Sequence, residues 1–79
     1  MTQKTQTVFL EGEIEKLQQM LIMAEINFRT YQTMAMKWPK DDKVGNALTV
    51  STMQKNEVAD KLRNARVLLA EIKDGRTEI

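Results

Sequence analysis

Apolar residues return along the first half of this chain every fourth and then every third position without a break. The series runs Leu10, Ile14, Leu17, Leu21, Ala24, Phe28, Tyr31, Ala35 and Trp38. The second half repeats the spacing through Val44, Leu48, Ser51, Lys55, Val58, Leu62, Ala65, Leu69 and Ile72. A four-three rhythm puts one stripe along one side of a helix, whereas a strand alternates every second residue. Two such stripes predict two long helices that pack along heptad seams.

The stretch between the stripes, "PKDDKVGN", gathers proline, paired aspartates, glycine and asparagine, and no other stretch does. Trp38-Pro39 stops the first helix, because the residue before proline is pushed away from helical backbone angles. Asp41, Asp42 and Asn46 are candidate caps for the second helix. Gly75 is placed to take a left-handed conformation after its end. The carboxylates Glu11, Glu13 and Glu15 suit the positive end of a helix dipole, while Gly12 weakens the first turn.

The expected plan is one all-α domain over residues 8–75, with helix 1 at about 8–37, a turn at 38–46 and helix 2 at about 46–74. Residues 1–7 and 76–79 are expected to be flexible termini. Folded as an antiparallel hairpin about residues 42–44, the seams set Ile14 against Ile72, Leu17 against Leu69 and Leu21 against Ala65. Ala24 then meets Leu62, Phe28 meets Val58, and Trp38 meets Leu48. Large side chains oppose small ones at the alanine layers, as interdigitating helices require.

This hairpin leaves too much apolar surface. "QMLIMAEINF" (residues 19–28) is apolar on nearly every side of a helix, so Met20, Ile22, Met23 and Ile26 fall outside the seam. Val50, Met53, Val67 and Leu68 do the same on the second helix. Burying each such side chain is worth roughly 1.5–3 kcal/mol, and a lone two-helix hairpin has no second layer to bury them against. The expectation is a homo-oligomeric helical bundle, a dimer or larger, with these eight residues at the interface to another copy or to a protein partner. Six methionines fit a surface that adapts to a partner, although core filling explains them more simply.

Composition removes several functions. With no histidine and no cysteine, the commonest general base, the commonest metal ligand, disulfides and thiolate sites are all absent. No phosphate-binding glycine loop or nucleophile elbow is present, and "PKDDK" lacks the alternating oxygen ligands of a calcium loop. No enzyme, metal site or cofactor is expected. A net charge of +1 argues against bulk attraction to nucleic acid, and acidic neighbours interrupt the cations around Arg29, Lys37, Lys40 and Lys43. The longest apolar run, Met20 to Ala24, is far short of the ~20 residues of a membrane span. A cytoplasmic chain with no membrane association is expected.

Two seam positions break the pattern. Ser51 falls opposite Ala35, and Lys55 falls opposite Tyr31. The simpler account is a seam that loosens towards the turn while Lys55 snorkels to water. The other is an anion or nucleotide site at a subunit interface, built from Arg29, Tyr31, Thr33, Lys37, Ser51 and Lys55. Size and hairpin plan are similar to those of small helical accessory proteins, including bacteriophage ones that inhibit host factors or sequester signalling nucleotides. The leading expectation is a non-enzymatic interaction protein acting as adaptor, chaperone or inhibitor, with small-ligand binding as the alternative.

Overall fold

A computed structural model of the chain describes residues 3–76. Two helices, α1 (Gln3–Lys37) and α2 (Asp42–Lys73), pack against each other as an antiparallel hairpin, and no strand occurs among the described residues. A helix of 35 residues is about 52 Å long at ~1.5 Å per residue, which accounts for a molecule measuring 54 × 17 × 15 Å.

The turn is shorter than the sequence suggests. α1 stops at Lys37, and Asp41 already caps α2 with extended backbone angles of φ −82° and ψ 110°. Its carboxylate accepts the amides of Lys43 at 2.9 Å and Val44 at 3.3 Å, so Asp42 and Asn46 are not needed as caps. The expected turn at 38–46 contracts to residues 38–41, and the reversal moves towards the N-terminus. This shifts the pairing of the helices. Lys55 meets Glu25 and Phe28 instead of Tyr31, and Tyr31 shares a groove with Ser51. Replacing the cap by Asp41→Ala should cost about 0.5–2 kcal/mol, read as a lower urea midpoint with unchanged helical signal.

The N-terminal boundary also differs. Helix 1 begins at Gln3 and not near residue 8, running straight through Gly12. Thr7 Oγ1 donates to the Gln3 carbonyl at 2.9 Å, and the Gln3 side-chain amide donates to the Ile72 carbonyl at the far end of α2. Local and cross-helix bonds therefore hold residues 3–7, which composition alone assigns to a flexible terminus. The remainder of that terminus, residues 1–2, and residues 77–79 at the other end lie outside the described residues. At the C-terminus Gly75 adopts φ +73°, the left-handed conformation expected of it.

Burial is shared by residues of the four-three series and by others outside it, Met34, Ala47, Ala59 and Leu68 among them, which are half-buried. Val44, Ser51, Leu62 and Ile72 are buried, and the other seam positions from Leu10 to Ala35 and Leu48 to Leu69 are half-buried. Trp38 is the exception on α1: placed against Leu48 by the sequence, it is 54% exposed because Pro39 has already ended the helix. Lys55 is half-buried, held at the edge of the contact by Glu25. Among the described residues only Ile72, at 1% exposure, is fully enclosed.

Candidate functional site

Among the described residues, more large hydrophobic side chains lie on the outside of this hairpin than in its core: eleven are between 50% and 81% exposed, against three buried hydrophobic residues. Seven of the eight residues expected at an interface are among the eleven: Met20, Ile22, Met23 and Ile26 on α1, and Val50, Met53 and Val67 on α2. Leu68 is half-buried beside the seam. Val8, Phe9, Met36 and Trp38 complete the set. Sequence reading missed Val8 and Phe9 because they precede Leu10, where the four-three series opens, and Met36 because it lies between the series members Ala35 and Trp38; it spent Trp38 on the seam.

On α1 the surplus is concentrated. Met20, Ile22, Met23 and Ile26 lie within two turns, too many for one stripe to absorb, so they spread to both sides of the contact with α2. Met20 and Met23 border a groove whose other wall is Gln54, Val58 and Lys61 of α2. Ile22 and Ile26 border the opposite groove, together with Leu21, Arg29, Lys55 and Ala59. Both grooves are open to solvent along their length.

That second groove holds the main polar cluster. Glu25 accepts Lys55 Nζ at 2.7 Å across the helices and Arg29 Nε at 2.8 Å along its own helix. The Lys55 ammonium also stands 4.5 Å from the centre of the Phe28 ring. Lys55 hydrogen bonding, then Arg29 hydrogen bonding, holds the Glu25 carboxyl below the usual glutamate range, against a smaller opposing effect of desolvation. Lys55 is therefore neither a bare buried ammonium nor a simple snorkel. Glu25 was not singled out in the sequence, although its spacing of four residues before Arg29 was a usable signal.

A lowered carboxyl pKa in the folded state stabilises the fold above the ordinary glutamate value of about 4.3. That contribution is lost as pH falls through the lowered value. Lys55→Met should move the Glu25 titration upward, as followed by carboxyl NMR shifts, and flatten the acid limb of stability against pH. Stability at neutral pH should change little, because Glu25 keeps Arg29 and the pair is part-exposed. An unmoved Glu25 titration would show that the cross-helix bridge does not persist in solution.

The six residues assigned to an anion site do not converge. Arg29 and Lys55 lie on the Glu25 side, where one carboxylate already engages both. Tyr31 and Ser51 line a separate groove with Asn27, Asn46, Ala47, Val50 and Gln54, which carries no cation. Thr33 is exposed and donates to the Arg29 carbonyl at 3.0 Å, and Lys37 is exposed at the last turn of α1. The shifted pairing is the cause, since it carries Lys55 away from Tyr31.

Other charged contacts are exposed pairs: Glu13 with Lys16 at 3.3 Å, Asp60 with Arg63 at 2.7 Å, Glu11 with Lys73 at 3.8 Å. Among the described residues no helix is long and apolar enough to cross a membrane. No family model, curated protein or solved structure matches this chain.

Proposed function

We propose that this chain is a non-enzymatic interaction module: a helical hairpin that self-associates through its outer apolar faces and presents the remaining surface to a protein partner. Adaptor, chaperone and inhibitor are the roles compatible with such a module. The observation that carries this reading is an elongated hairpin with large hydrophobic side chains left on its outside. A compact protein of 9.1 kDa has an accessible surface of about 4,900 Å², whereas this chain has 6126 Å². Its radius of gyration is 17.1 Å, against about 12 Å for a globule of this length. Two helices cannot enclose each other, and the eleven exposed hydrophobic residues are the result.

Exposed apolar groups of this number on a lone small hairpin make an unstable surface. The same residues in a four-helix bundle supply the missing second layer. Polar and charged residues left outside that bundle, among them Asn56, Asp60, Lys61, Arg63 and Asn64 of α2, remain free to contact a partner.

Light scattering of the purified chain across a concentration series tests the proposal. A mass that is a multiple of 9.1 kDa is expected, with a melting temperature that rises with concentration. A compact monomer at high concentration overturns it. A thermal-shift panel of nucleotides separates this reading from small-ligand binding, for which a ligand at a hundredfold excess over its Kd would add about 2.7 kcal/mol.

A further inference from the structure

We infer that the second copy docks on the outer face of α1 in an antiparallel, two-fold arrangement, with the contact centred between Ile22 and Ile26. This inference rests on the self-association proposed above and adds which face meets which, and in what direction. Two observations carry it.

The first is concentration. Ile22, Met23 and Ile26 are all exposed within five residues of α1. Val50, Met53 and Val67 of α2 are spread over about five turns with charged residues between them. A continuous apolar centre exists only on α1.

The second is the order of charge along that face. Towards the N-terminal end stand Glu11 and Glu15, both exposed. Towards the C-terminal end stand Arg29 and Lys37, also exposed. By helical periodicity Glu15 and Lys37 lie on the side of α1 turned away from Leu17, Leu21 and Phe28, and Glu11, 3.8 Å from Lys73 of α2, and Arg29, at the rim of the groove with α2, flank that side. Acid, apolar centre and base follow one another along a single helix face. Such a face is complementary to itself when one copy is turned end to end, and an isologous contact requires that property.

With Ile22 set against the second copy's Ile26, Glu11 falls opposite the second copy's Lys37. Glu15 falls opposite Thr33, with Arg29 and Lys37 one turn to either side. A parallel contact would set Glu11 beside Glu11 and Arg29 beside Arg29, repelling at both ends. Other charges on α1 do not spoil the pattern. Lys16 is paired with Glu13, and Lys4 lies beyond the stretch that the second α1 covers. Glu25 is engaged by Lys55 and Arg29, and the Arg29 side chain is still 76% exposed.

Because the chain has no cysteine, single introduced thiols give a clean test. Glu15→Cys and Thr33→Cys are made separately, mixed, unfolded and refolded together, and oxidised. Disulfide formation needs Cα atoms within about 7 Å. Positions 15 and 33 are about 27 Å apart along one helix at ~1.5 Å per residue. The expected result is a cross-linked dimer in the mixture, containing one chain of each variant, with neither variant linking when oxidised alone. If Thr33→Cys links to itself, the contact is parallel and the inference falls while self-association stands. If nothing links although light scattering gives an oligomeric mass, another face makes the contact, with the same consequence. If the unmodified chain is monomeric, the inference and the proposed function fall together.

Discussion

Leu62→Asp should abolish the folded state, seen as loss of the helical circular dichroism signal in buffer without denaturant. Leu62 is 4% exposed and is one of three buried hydrophobic residues among those described. Truncating a buried leucine costs about 2–5 kcal/mol before any charge is added. The new carboxylate would be enclosed between two apolar helix faces, and an unpaired buried charge adds several kcal/mol more or forces the group to stay protonated. A chain of this length has only about 4–12 kcal/mol of total stability at the usual value per residue. One substitution thus removes most or all of it. Asn56→Asp is the control: an exposed position on the same helix gaining the same charge, expected to stay within about 0.5 kcal/mol of the parent. A folded Leu62→Asp variant would mean that the contact between α1 and α2 is not what holds the helices together.

Leu62 stands out from the spacing of apolar residues alone. Leu62 and Ile72 sit in the four-three series, and both are buried. Helix ends set by local chemistry were readable too: Pro39 stops α1, and Gly75 takes its positive φ after α2. What the spacing did not contain was the offset between the two helices. That offset depends on which of three eligible residues caps α2, and Asp41, Asp42 and Asn46 are equivalent as residue types. Choosing Asp41 shortens the turn and slides one helix against the other, so each seam keeps its members and changes its partners. The polar cluster suffered most. Glu25, Lys55 and Arg29 form one network only in the observed offset, and the anion site assembled around Tyr31 belonged to the other. Seams tolerate a slip because one leucine layer resembles the next, whereas a charged cluster needs particular partners.

Ile26→Asp should split the oligomer and leave the hairpin. Ile26 is 53% exposed at the rim of the groove between the helices, so within one chain the substitution leaves the buried residues Val44, Leu62 and Ile72 in place. At a two-fold interface every substitution is made twice. Removing one buried isoleucine costs roughly 1.5–3 kcal/mol, so the dimer loses about 3–6 kcal/mol, which is a 100- to 10,000-fold weaker association at ~1.4 kcal/mol per decade. The paired aspartates near the axis then repel and weaken it further. Light scattering should give a mass near 9.1 kDa where the parent gives a multiple of it. Helical signal should persist in the cold, because Leu62, Ile72 and their neighbours are untouched, while the melting temperature falls and stops depending on concentration. Met23→Asp, at the flank of the same face, should shift the equilibrium in the same direction by a smaller factor. Val67→Asp on the outside of α2 separates this account from general hydrophobic clumping: it should leave the mass unchanged if α1 makes the contact, and lower it if any exposed apolar residue serves equally well.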